Sequence, residues 1–119
     1  MRLLVCGSRT WTDAARIDAY IAQAKPTLII HGGARGADTL AGDVAQRRGI
    51  PLCIFPAEWA YFGNNAGAIR NEWMLIFGKP DRVVAFWDGA SPGTASMCSQ
   101  ARLRGVSVDL ISAMKEGAE

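Results

Sequence analysis

The sequence predicts a three-layer, doubly wound α/β fold of about five parallel strands, in one domain over residues 1–119. Three observations predict it. Short, continuously apolar runs recur along the chain, as strands covered on both faces require. Between them lie segments of helical periodicity closed by Gly or Pro. The connections are short, so consecutive parallel strands need right-handed crossovers through helices. Half of the 119 residues are hydrophobic, enough for a sizeable core in a domain of ordinary size.

Residues 3–6 form the first strand, ended by Gly7-Ser8-Arg9-Thr10. Thr12 is the expected N-cap of a helix from Asp13 to about Ala24, with the Asp13 carboxylate favourable at the positive helix end. Pro26 stops that helix, and residues 27–30 are the second strand. His31-Gly32-Gly33-Ala34-Arg35-Gly36-Ala37-Asp38 then makes a glycine-rich turn into a helix that runs to Arg48, with Ala37, Leu40, Ala41 and Val44 on one face. Gly49 stands where a C′ glycine belongs and Pro51 follows. After a third strand over residues 52–55, residues 56–67 carry two Gly and two Asn and read as a long irregular loop, a place where function is often found. Ile69, Trp73, Ile76 and Phe77 follow the spacing of an amphipathic helix, closed by Gly78 and Pro80. Residues 82–86 are the fourth strand and residues 87–94 its exit loop. A helix from about Thr94 to Arg104, ended by Gly105, leads to a fifth strand over residues 106–111, and residues 114–119 are expected to fray.

The formal charge of +2 is too small to argue for nucleic acid. Ten Arg against three Lys favour planar recognition of phosphate or carboxylate, although a GC-rich genome explains the count as well. Cys6, Cys53 and Cys98 have no metal-like spacing and read as reduced thiols of a cytoplasmic protein. The N-terminus runs straight into a strand without the pattern of a signal peptide, and no apolar run reaches membrane-spanning length. No metal site and no cofactor are expected.

In a doubly wound fold, ligands bind beyond the carboxyl ends of the strands. The exit loops there supply Gly7, Ser8, Arg9 and Trp11 from the first strand, and Gly32, Gly33, Arg35, Gly36 and Asp38 from the second. Glu58, Trp59, Tyr61, Asn64, Asn65, Arg70 and Asn71 follow the third, and Trp87, Asp88, Ser91, Gly93 and Thr94 the fourth. Strand, glycine turn and helix start is the arrangement that offers unpaired N–H groups to an anion, and Arg35 could add a forked donor. The glycine spacing is neither the dinucleotide fingerprint nor a P-loop, and the turn could equally serve as a tight connection without a ligand. Asp38 suits the first helical turn with or without a ribose or metal role. Trp11, Trp59 and Trp87 suit base stacking or packing under loops. Trp73 belongs to the apolar helix face, and His31 to the end of a buried strand as a hydrogen-bonded structural residue. No nucleophile–base pair is visible. Glu58, Glu72 and Asp88 are the carboxylates best placed in the sequence for acid or base work.

Val5-Cys6-Gly7-Ser8-Arg9, Gly32-Gly33-Ala34-Arg35-Gly36-Ala37-Asp38 and Ala66-Gly67-Ala68-Ile69-Arg70-Asn71-Glu72-Trp73-Met74, with Phe86-Trp87-Asp88-Gly89 and Pro92-Gly93-Thr94, span nearly the whole chain. In this order and spacing they resemble the signature blocks of the YspA-related branch of the SLOG superfamily. The superfamily also holds the cytokinin-activating LOG phosphoribohydrolases and the SMF/DprA proteins. The resemblance implies a Rossmann-like fold and binding of nucleotides or nucleotide-derived ligands; some relatives sense ADP-ribose-type signals in phage conflict. One departure matters. The LOG block Pro-Gly-Gly-x-Gly-Thr is followed by a Glu on the same helix, whereas here Ser91-Pro92-Gly93-Thr94-Ala95-Ser96-Met97-Cys98 lacks it. A sensor or sequestering module for such a signal is thus the first expectation. A nucleotide-hydrolysing enzyme and a nucleic-acid or protein-binding accessory are the alternatives, the last disfavoured by the near-neutral charge.

Trp73-Met74-Leu75-Ile76-Phe77 covers more than one helix face. With Ile69, Trp73, Ile76 and Phe77 facing the sheet, Met74 and Leu75 would form an exposed apolar patch beside Arg70 and Glu72. A homo-oligomer through the helix over residues 69–77 is the resulting expectation.

Overall fold

A computed structural model describes residues 1–112; the expected frayed tail lies outside these. Five strands form one all-parallel sheet: β1 (Arg2–Gly7), β2 (Leu28–His31), β3 (Leu52–Ile54), β4 (Arg82–Trp87) and β5 (Ser107–Ser112), in the order β3-β2-β1-β4-β5. The chain winds outward from β1 through β2 to β3, then returns to the other side of β1 for β4 and β5. The crevice at that reversal, between the carboxyl ends of β1 and β4, is where a doubly wound fold places a ligand.

Helices α1 (Ala14–Ala24) and α2 (Ala37–Arg48) cover one face of the sheet, while α4 (Ala66–Ile76) and α5 (Pro92–Leu103) cover the other. Alternation along the strands divides the core between them. Leu3, Val5, Ile29, Val84 and Phe86 pack toward α1 and α2; Leu4, Cys6, Ile30, Val83 and Ala85 pack toward α4 and α5. Trp11 is part of the first core, tilted against Phe86 at 5.4 Å between ring centroids, with its Nε1 donating to the Asp13 carbonyl. It is therefore a packing residue rather than a stacking platform.

Three expectations need correction. The N-cap of α1 is Asp13, whose carboxylate accepts from Arg16 N at 3.2 Å, rather than Thr12. Residues 56–67 are not one irregular loop: they contain the short helix α3 (Trp59–Phe62), a 3-10 turn (Gly63–Asn65) and the first turn of α4. Finally, α4 turns the opposite face inward. Met74 and Leu75 are buried in the core, whereas Ile76 and Phe77 are exposed and Ile69 and Trp73 half-buried. The inward stripe is Ala66, Arg70–Asn71, Met74–Leu75 and Gly78, which has helical spacing too. Its polar members disguise it: Arg70 and Asn71 point inward because they meet the crevice, not the apolar core. The exposed patch expected at Met74 and Leu75 does not exist.

Candidate functional site

The glycine turn between β2 and α2 is built around Asp38. One carboxylate oxygen, Oδ2, accepts from Gly32 N at 2.9 Å and from Ala34 N at 3.4 Å. Gly33 N donates to His31 Nδ1 at 2.9 Å. Three N–H groups that could have faced an anion are thus committed within the turn. His31 is 4% exposed and lines neither of the cavities described below, in keeping with a structural residue. Gly36 holds the turn against β1: its φ of +77° suits glycine, and a Cβ there would overlap the Ser8 carbonyl oxygen. Ser8 is fully buried and straps the loops together, its Oγ accepting from Asp88 N at 2.8 Å and its carbonyl from Trp11 N and Ala37 N.

The turn between β4 and α5 is the reverse case. Pro92 opens the helix and has no N–H to satisfy, Ser91 makes no side-chain cap, and Gly93 N and Thr94 N have no acceptor among the described residues. Thr94 is buried, with its Oγ1 3.1 Å from Ser91 Oγ.

Between the two turns, at the β1/β4 crevice, lies a cavity of about 90 Å³ lined by Cys6, Gly7, Arg9, Ala34, Asp38, Arg70, Asn71, Met74, Ser91, Gly93, Thr94 and Met97. Beside it a larger cleft of about 310 Å³ is lined by Arg9, Gly32, Gly33, Ala34, Arg35, Pro56, Ala57, Trp59 and Arg70. Arg9, Ala34 and Arg70 line both and form the wall between them. Arg70 is held by two bonds, Nη1 to the Gly32 carbonyl at 2.7 Å and Nε to Asn71 Oδ1 at 2.9 Å. It lies so close over Gly32 that a Cβ there would overlap its guanidinium, 2.7 Å from Cζ. Its second terminal nitrogen, Nη2, has no hydrogen-bond partner among the described residues. Trp59, 50% exposed, flanks the larger cleft.

Charge in the cavity is mixed. Burial pushes the Asp38 carboxyl up to about 6, against the opposing pull of its backbone hydrogen bonds and of Arg70 and Arg9. Burial pushes the Arg70 guanidinium down, which leaves it protonated at neutral pH. Beneath the cavity, the Cys6 thiol is in hydrogen-bond contact with Cys98, and that contact and burial push Cys6 up. Cys6, Met74 and Met97 form an apolar floor that composition did not reveal, although Cys6 stands directly before Gly7 at the end of β1.

The three carboxylates best placed in the sequence for acid or base work line neither cavity. Glu58 is the exposed N-cap position of α3, and Glu72 is exposed on the far side of α4, by Gln100. Asp88 folds its own loop: Oδ1 accepts from Ala90 N at 2.9 Å and Ser91 N at 3.0 Å, and Oδ2 from Thr10 Oγ1 at 3.1 Å. Those bonds hold its pKa down at about 2, a poor base whose oxygens are already occupied. Trp87 braces the same loop through Nε1 and the Ser91 carbonyl at 3.0 Å and lines neither cavity. Gly36 and Ser8 act behind the wall rather than in it. The described residues hold no group of three or more His, Cys, Asp or Glu able to bind a metal. No helix among them is long and apolar enough to cross a membrane.

Residues 1–62, which include β1, the glycine turn, Arg9 and Asp38, match the model of the YspA, cpYpsA-related SLOG family. The chain belongs to that family. The Gene 61 protein of Mycobacterium phage D29 is 33% identical over 117 aligned residues, covering 90% of this chain and 93% of its own length, so the likeness runs on through Arg70 and the α5 turn. The α/β architecture is the Rossmann-like fold that the SLOG blocks imply, and membership means nucleotide-related binding or processing in general.

Proposed function

We propose that this SLOG domain binds a nucleotide or nucleotide-derived signal at the carboxyl edge of its sheet, as a sensor or sequestering module. The observation that carries the proposal is the α5 turn: two unsatisfied N–H groups at a helix start, Gly93 and Thr94, open into a cavity walled by Arg9 and Arg70. A phosphate accepts well from such donors. The adjoining cleft, with half-exposed Trp59 at its rim, has the size and the flat apolar surface for a base. Binding is the activity proposed, and the carboxylates best placed in the sequence for acid or base work, Glu58, Glu72 and Asp88, are outside the two cavities.

Titration calorimetry with AMP, ADP-ribose and cyclic ADP-ribose tests the proposal. Binding of at least one, weakened tenfold or more by Arg70→Ala, is the expected result; no heat from any of the three at millimolar concentration overturns it for these ligands. A homo-oligomer through α4 would have to use Ile76 and Phe77, the apolar residues exposed there. Sedimentation of wild type and Phe77→Glu tests that, with a wild-type monomer at tens of micromolar counting against it.

A further inference from the structure

We infer that Asp38 and Asn71 together read a pair of neighbouring hydroxyl groups, so that the site selects ribonucleotides over their deoxy counterparts. The inference rests on the anion site proposed above and adds a sugar to it. Asp38 is only 5% exposed, and its Oδ2 is taken by Gly32 and Ala34. Its Oδ1 has no partner among the described residues, and the side chain lines the small cavity. The oxygen is open to the cavity, since among the described residues the fully buried side-chain atom without a partner is His31 Nε2, and a ligand donor would complete it. An anionic group has none to give, and an ammonium group would be repelled by Arg9 and Arg70 on the same wall. The donor is therefore an uncharged O–H or N–H.

Asn71 narrows the choice. Arginine only donates, so the bond from Arg70 Nε to Asn71 Oδ1 fixes the amide, and Nδ2 is the group left to face the cavity. The lining of the cavity thus includes one free acceptor, on Asp38, and one free donor, on Asn71. A vicinal diol matches that pair, since each hydroxyl both donates and accepts. A base fits the requirement less well: the cavity of about 90 Å³ is too small for a purine, whereas the cleft of about 310 Å³ lies next door.

The test is calorimetry on the full chain with AMP and 2′,3′-dideoxy-AMP, using wild type, Asp38→Asn and Asn71→Ala. Wild type is expected to bind AMP about 30-fold more tightly than dideoxy-AMP, the loss associated with a hydrogen bond to a charged group. In each variant that ratio should fall below about threefold, because AMP weakens by more than dideoxy-AMP does; any loss through Arg70, which Asn71 also holds, is shared by the two nucleotides. A structural role for Asp38 or Asn71 would instead weaken both nucleotides alike, and that outcome overturns the inference. So does equal binding of the two nucleotides by wild type, which leaves the anion site standing. If none of AMP, ADP-ribose and cyclic ADP-ribose binds, the underlying proposal fails and this one with it. Should Asp38→Asn not fold, Asn71→Ala decides.

Discussion

Two strand-to-helix turns of this protein read alike in sequence, and the folded chain uses them in opposite ways. The β2–α2 turn is the richer in glycine, yet the N–H groups of Gly32, Gly33 and Ala34 are turned onto Asp38 and His31. The β4–α5 turn has one glycine in its first helical turn and leaves Gly93 N and Thr94 N open. What separates them is a carboxylate. Asp38 stands close enough to reach back over its own turn, whereas α5 has no acidic residue in its first turn. A glycine-rich helix start offers free N–H groups to an anion only when nothing in the chain has already capped it. The closed turn instead contributes structure: it positions Asp38 and seats Arg70 over Gly32.

The comparison can be broken most severely at the glycines. Gly36→Ala should cost at least about 3 kcal/mol in urea denaturation, from the positive φ and the overlap with the Ser8 carbonyl. Gly93→Ala in the open turn, where a Cβ meets nothing within 4 Å, should stay within about 0.5 kcal/mol of wild type. Equal costs at the two positions would mean that the turns are not built as described.

Asp38 provides the next largest effect. Its folded pKa of about 6 lies above the value of about 3.9 for an unfolded chain. The native state therefore holds the proton more tightly, and the associated stability is complete below about pH 4 and lost as pH rises through about 6. Asp38→Asn should flatten that slope and, at pH 7.5, unfold up to about 3 kcal/mol later than wild type, read from denaturation across the pH range. A variant that keeps the wild-type slope would place the titrating group elsewhere.

Gly32→Ala separates binding from folding. The added methyl meets the far end of a flexible side chain rather than backbone, so stability should change by less than about 1 kcal/mol. Arg70 must leave the Gly32 carbonyl, and affinity for AMP should drop about tenfold. The smallest effect is expected at the rim, where Trp59→Ala removes a half-exposed ring and should weaken AMP about fivefold, a stacking contribution near 1 kcal/mol.

Much of this protein follows from the order of its residues alone. Continuous apolar runs, helix stops and short connections are local signals, and they sufficed for five parallel strands and for helices between them. Gly49 after Arg48 ended α2 as expected, its N–H bonding back to Ala45 and Gln46 carbonyls. Arg9, Asp38, Arg70, Asn71, Gly93 and Thr94, all singled out along the chain, do converge on one cavity. What only the tertiary structure decided is direction. α4 carries two stripes of helical spacing, and periodicity does not rank them; the crevice did, by accepting Arg70 and Asn71 at the end of the buried stripe and drawing Met74 and Leu75 into the core. Likewise a carboxylate's role depends on what surrounds its oxygens. Glu58 and Glu72 look outward, Asp88 is consumed by its own loop, and Asp38, half satisfied and buried, faces the cavity. Asp38 and Asp88 take most of their partners from within their own turns, but the contacts that bring Thr10 to Asp88 and Arg70 to Gly32 span tens of positions and are made by the sheet, so no local pattern in the sequence records them.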